Sequence, residues 1–134
     1  MDTLQRSKIP MKNRDLLISI VDDDESIRES LPGLISEFGF AVQTFPSAGE
    51  FLASDHLGKT ACLILDVAMP GMTGPDLQRE LAIQGKKIPI IFITAHRDES
   101  VRLRLIEQGA VECLYKPFSD KGLLAALNLA LQAQ

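Results

Sequence analysis

Asp22, Asp23 and Asp24 close an apolar run, "LLISIV", and a fourth aspartate, Asp66, closes another within "LILDVAMPGMTG". Neighbouring carboxylates repel, and one beside an apolar core is costly unless something pairs with it. Thr94 ends a third apolar run, "IPIIFIT", and Lys116 follows a fourth, "VECLY". Clustered carboxylates with no Cys or His ligand make a hard, all-oxygen cation site suited to Mg2+. A divalent ion, an ammonium and a hydroxyl around one carboxylate would stabilise a phosphoryl group transferred onto it. Carboxylates form such aspartyl phosphates, and Asp66 is the natural acceptor. No G-x-x-x-x-G-K-[ST] or G-x-G-x-x-G stretch is present to cradle a nucleotide.

These residues can act together only if the fold brings them to one place. Strand-like runs at 16–21, 40–45, 61–65, 88–94 and 111–115 alternate with helix-spaced stretches at 25–38, 47–54, 74–84, 98–108 and 119–132. Runs apolar on both faces predict a parallel sheet covered on both sides, which is a doubly wound α/β domain. In such sheets ligands bind beyond the carboxyl ends of the strands. Asp22, Asp23, Asp66, Thr94 and Lys116 all fall at those ends. Asp24 reads as the N-cap of the first helix, Ser47 with Glu50 as a capping box, and Ser119 as the N-cap of the last helix. Pro32 inside the first helix predicts a kink near Arg28–Pro32 or a split into two pieces.

With 134 residues, 46% of them hydrophobic, the chain suits one domain that needs no metal or disulfide to fold. A net charge of −4 argues against a whole-domain nucleic-acid footprint. Residues 1–15 hold Arg6, Lys8, Lys12 and Arg14 against Asp2 and Asp15, so they carry +2 and the remainder −6. They lack periodicity and are expected to form a flexible arm, with the domain at 16–134. Cys62 and Cys113 lie in apolar runs and read as reduced, packed thiols. No stretch approaches the ~20 apolar residues of a membrane span, and the N-terminus lacks a signal core. The expectation is a cytoplasmic protein with no membrane partner.

"VDDD", "LILDVAMPGMTG", "IFITAH" and "GAVECLYKPF", in this order and spacing, resemble the receiver domain of bacterial two-component response regulators. The resemblance covers residues 16–132. It implies a flavodoxin-like five-stranded sheet, order 2-1-3-4-5, with helices on both faces. It implies that Asp66 accepts a phosphoryl group from a phosphohistidine on a sensor histidine kinase. Asp23, Asp66 and the backbone carbonyl of Ala68 would contact Mg2+ directly, with Asp22 acting through water. Thr94 would bind a phosphoryl oxygen and swing inward, Lys116 would pair with the phosphoryl group, and the Lys116–Pro117 bond would be cis. His96 and Ala68 border the site and would tune dephosphorylation.

The chain departs from the family at Cys113. The family usually carries Tyr or Phe three residues before the lysine, and here the aromatic is Tyr115. Alternation places Cys113 and Tyr115 on one strand face. Signalling is therefore expected to use Thr94 and the loop after the fourth strand, with no rotating ring at 113.

The leading reading is a single-domain response regulator that is not an enzyme beyond its own phosphorylation and dephosphorylation. Helices four and five, with Leu103, Ile106 and the leucines of "GLLAALNLALQ", would form its output surface or a homodimer. Three alternatives stand beside it. A phosphorelay shuttle would pass the group to a phosphotransfer protein, and a non-phosphorylated interaction module would lack the acid pocket. A Mg2+-dependent phosphohydrolase would want a second acid where Ala68 stands. The chain is also compatible with a fragment of a longer regulator.

Overall fold

The computed structural model describes residues 16–132. The arm expected at 1–15 lies outside the described residues. Five strands, β1 (Leu17–Val21), β2 (Ala41–Phe45), β3 (Thr60–Asp66), β4 (Ile90–Thr94) and β5 (Glu112–Tyr115), alternate with five helices. These are α1 (Glu25–Glu37), α2 (Ala48–Leu52), α3 (Gly74–Ile83), α4 (Glu99–Glu107) and α5 (Asp120–Gln132). The strands form one sheet of order β2-β1-β3-β4-β5, every pair parallel.

Period-two alternation divides the core into two layers. Val21, Leu63, Leu65, Phe92 and Cys113 face one side and pack with Phe51, Leu77 and Leu105 of α2, α3 and α4. Ile18, Ile20, Ile64, Ile91 and Ile93 face the other and pack with Leu31 and Ile35 of α1 and Leu123 and Leu127 of α5. The edge strand β2 alternates exposed and half-buried residues. Strand β4 begins later than its apolar run because Pro89 has no N–H to give a ladder; its carbonyl still accepts from Leu63 N at 2.9 Å. Among the described residues no helix is long and apolar enough to cross a membrane.

Helix α1 is one unbroken helix of 13 residues, so the expected split at Pro32 does not occur. Proline in a helix interior withdraws one hydrogen bond. The buried Leu31 and Ile35 on either side hold the helix to the sheet across that gap.

Candidate functional site

Each site residue is carried by the last residue of a strand or by the turn after it. Asp22 N donates to the Phe45 carbonyl at 3.1 Å, extending the β1–β2 ladder one residue. Asp66 is the last residue of β3 and stands opposite Ile93. Thr94 ends β4 opposite Tyr115, and Lys116 N donates to the Thr94 carbonyl at 2.7 Å. The Lys116–Pro117 bond is cis, as expected.

Asp22 is fully buried and both of its carboxylate oxygens are occupied. Oδ1 accepts from Asp24 N at 2.9 Å, and Oδ2 accepts from Lys116 Nζ at 2.9 Å. Lys116 Nζ also stands 3.6 Å from Asp66 Oδ1. Asp23 is exposed, and carboxylate oxygens of Asp22, Asp23 and Asp66 lie within 4.8 Å of one another. Asp24 turns away to cap α1, accepting from Ser26 N at 2.9 Å. The three consecutive acids therefore have three separate environments.

Electrostatics separates them further. Burial, then the neighbouring Asp22 charge, pushes the Asp66 carboxyl up to about 7, with Lys116 pulling it down and Asp23 adding to the rise. Partial burial works against the Lys116 ammonium. The Asp22 hydrogen bond and the attraction of Asp66 outweigh it, and the lysine lies above its ordinary value. Asp66 is thus an acid held back from ionising in a pocket whose lysine does not offset burial and the neighbouring carboxylates. Three oxygen donors with no nitrogen or sulfur among them fit a small hard cation.

Thr94 is buried, and its Oγ1 accepts from His96 N at 3.1 Å, while His96 itself is exposed. Ala68 is exposed in the loop after β3. Cys113 and Tyr115 share a strand face, as alternation requires. Cys113 is buried in the core, and Tyr115 Oη donates to Glu99 Oε1 at 3.0 Å with Arg97 5.2 Å from its ring centre. The tyrosine is half-buried at the start of α4 rather than in the core.

Sequence reasoning missed several supporting residues. Arg28 Nη1 donates to the Asp22 carbonyl at 2.8 Å, tying α1 to the acid pocket. Thr73 and Asp76 form a reciprocal capping box on α3; a Thr and an acid three residues apart were visible in the sequence. Arg102 clamps α4 to β5 through Glu112 at 2.8 Å and the Cys113 carbonyl at 3.2 Å. Gly74 packs against the backbone of the acceptor itself. A Cβ there would overlap the Asp66 carbonyl oxygen and approach Phe92 Cε1 to 2.9 Å.

The arrangement is an acid pocket at the carboxyl edge of a 2-1-3-4-5 sheet, with one lysine reaching it across the strands. The sequence profile of the response regulator receiver domain matches residues 18–128. The chain belongs to the response regulator receiver family. This receiver is similar to the response regulator protein TodT of Pseudomonas putida, 43% identical over 122 residues, which are 91% of the chain and 54% of TodT. It is 45% identical over 116 residues to nodulation protein W of Bradyrhizobium diazoefficiens, covering 87% of the chain and 51% of that protein. The chain thus spans about half the length of the curated relatives it matches. Among solved structures, it resembles the FixJ-N crystal structure with a TM-score of 0.80 and 35% identity, covering 90% of the chain and 96% of that chain. The response regulator StyR gives 0.81 and 43% identity, covering 89% and 60%. The receiver fold and the place of the chain among regulators of two-component signalling follow from these likenesses.

Proposed function

We propose that this receiver accepts a phosphoryl group onto Asp66 from a phosphohistidine of a sensor histidine kinase, with Mg2+ as cofactor. The observation that carries this reading is the position of Asp66, within reach of Lys116 and of two further carboxylates. In the transfer an Asp66 carboxylate oxygen forms a bond to phosphorus, and the phosphorus–nitrogen bond to the donor imidazole breaks. Bound Mg2+ supplies positive charge that offsets the carboxylates and the phosphoryl oxygens. Asp23, the exposed acid, and Asp66 would hold it, with the Ala68 carbonyl as a further oxygen donor. Asp22 would act through water, since both of its oxygens already accept from protein donors. Lys116 holds a phosphoryl oxygen, and Thr94 turns from His96 N to another. His96 and Ala68 flank the acceptor and set how water reaches it.

Signalling runs through Thr94 and the loop to α4, with Tyr115 remaining on Glu99. A Tyr115 rotamer that changed in step with Thr94, in crystals with and without a phosphate mimic, would contradict this. Leu103 of α4 and Leu129 of α5 are about half exposed and mark the output surface, read here as a homodimer contact. Sedimentation as a monomer in both states would remove that reading. A cytoplasmic location follows from the kinase-facing role.

Mg2+ should stabilise the protein. At pH 8 and millimolar Mg2+, Tm is expected to rise by a few degrees, following mass action on the folded state. Asp23→Ala should remove most of the rise. An equal rise in that variant would take Asp23 out of the cation site.

Lys116→Met should both slow labelling and weaken the fold. Removing one partner of a buried ion pair costs roughly 3–5 kcal/mol. Two features temper the loss here: Asp22 keeps its bond from Asp24 N, and Asp66 can hold a proton. Urea denaturation should therefore show about 2–3 kcal/mol. Loss of an electrostatic stabiliser of a developing charge should slow phosphoryl uptake by about 100-fold or more. Unchanged uptake in the folded variant would remove Lys116 from the transfer.

A further inference from the structure

A pocket of about 370 Å3 opens at the sheet edge opposite the acid pocket, where α3 and α4 end and β4 begins. Its walls are Gln78 and Leu81 of α3, Ile88 and Ile90 at the entry to β4, and Lys86 and Lys87 of the turn between them. That volume suits a small organic ligand. Both helices stop at glycines with left-handed backbone, Gly85 at φ 73° and Gly109 at φ 114°. The N–H groups of Gly85 and Lys86 fold back onto the carbonyls of Ala82 and Leu81. Those of Gly109 and Ala110 fold back onto Ile106 and Leu105. The two turns satisfy their own helix ends and leave the space between them open.

Gln78 is the polar group that this packing does not explain. It is only 9% exposed. Its Nε2 donates to the Gln108 carbonyl at a long 3.4 Å, and its buried Oε1 has no hydrogen-bond partner among the described residues. The Gln108 carbonyl fixes which end of the amide is which, because the reverse placement would set two oxygens against each other. A buried acceptor without a donor is costly. The last torsion of a glutamine is soft, so a small rotation about it turns Oε1 toward the pocket at the loss of one weak bond. At the rim, Lys86 and Lys87 are exposed, and neither pairs with a carboxylate among the described residues. The pocket thus offers an acceptor at its inner end, an apolar wall and two free cations at its mouth.

We propose that this pocket binds a small organic acid whose O–H donates to Gln78 Oε1, whose apolar body lies on Leu81, Ile88 and Ile90, and whose carboxylate faces Lys86 and Lys87. The site lies at the amino end of β4, whereas Thr94 and the acid pocket lie at the carboxyl ends. The inference therefore does not depend on phosphoryl transfer to Asp66.

Titration of 4-hydroxybenzoate into the isotope-labelled full chain, followed by NMR, tests it. A ligand of about ten heavy atoms in an open pocket should bind in about the millimolar range. Saturable shifts are expected at the Gln78 side-chain amide and at the backbone amides of Gly85 and Gly109, with Asp23 and Asp66 unmoved. Benzoate lacks the donor and should bind about 3- to 10-fold more weakly, the difference one hydrogen bond makes. In Gln78→Leu the two acids should bind alike. Changing both Lys86→Glu and Lys87→Glu should remove the preference for 4-hydroxybenzoate over phenol, which has no carboxylate. The lysines are exposed, so that double variant keeps the test open even if Gln78→Leu does not fold. No saturable shift at about 10 mM would leave water as the occupant and overturn the proposal. So would shifts centred on Lys116, or equal affinity of wild type for benzoate and 4-hydroxybenzoate.

Discussion

Asp66→Asn is expected to abolish phosphoryl uptake and, at the same time, to stabilise the metal-free protein above pH 7. The first effect is a loss of the nucleophile. An amide oxygen keeps the shape of the carboxylate but cannot form the acyl phosphate, so only hydroxylamine-resistant background should remain. The second effect follows from linkage. The Asp66 carboxyl is held near 7 in the fold, against 3.8 as its ordinary value. Below about pH 4 it is protonated both folded and unfolded, and it contributes nothing to pH dependence. Between there and pH 7 the folded chain keeps a proton that the unfolded chain has lost, so stability falls as pH rises. Above pH 7 the full penalty of a buried carboxylate beside Asp22 is present. Asparagine removes it. The gain at pH 8 should be about 1–2 kcal/mol, discounted for relaxation and water near the exposed Asp23, and should fade toward pH 4. Thermal melts of wild type and variant across that range, without Mg2+, would show it. A variant less stable than wild type at pH 8 would contradict the repulsive pocket.

Gly74→Ala should be strongly destabilising, because a Cβ there meets backbone at closer than van der Waals distance. Gly74 opens α3, its N–H donates to the Val67 carbonyl at 3.0 Å, and its Cα faces the backbone of the acceptor strand. The obstacles to a Cβ are the Asp66 carbonyl and the Val67 Cα, which are backbone, and the rim of the buried Phe92 ring. Overpacking against rigid neighbours costs roughly 1–3 kcal/mol, and backbone has less room to yield than a side chain, so about 3 kcal/mol is expected. The same shift moves Asp66 relative to Lys116, so uptake should fall together with the urea midpoint. Gly33→Ala is the control, since open space surrounds that position and alanine is the stronger helix former. Equal stability for both variants would show that α3 can slide away from Asp66.

The sheet was legible because its strands are apolar on both faces and their ends carry the acids, the threonine and the lysine. Asp22 and Lys116 lie 94 residues apart, and only the rule that binding residues gather at carboxyl ends links them in advance. The division of labour among Asp22, Asp23 and Asp24 was partly legible. Helix capping selects Asp24, but the burial of Asp22 against the exposure of Asp23 depends on which way each side chain leaves the strand end. Of the two outcomes expected at Pro32, the split does not occur, because the packing of Leu31 and Ile35 holds α1 as one helix. Arg28 and Gly74 carried no spacing signal, because they meet the carbonyls of Asp22 and Asp66, backbone groups that any residue would present. Arg102 stands at helical spacing from Glu99, but its bonds to Glu112 and the Cys113 carbonyl on β5 depend on the tertiary fold.

The central claim is that Asp66 carries the phosphoryl group, and mass-spectrometric mapping of the adduct tests it most directly. Wild-type protein, phosphorylated by a histidine kinase in Mg2+ and digested quickly at low temperature, should carry the group on Asp66 alone. An adduct on Asp22, Asp23, His56 or His96, with Asp66 unmodified, would contradict the account.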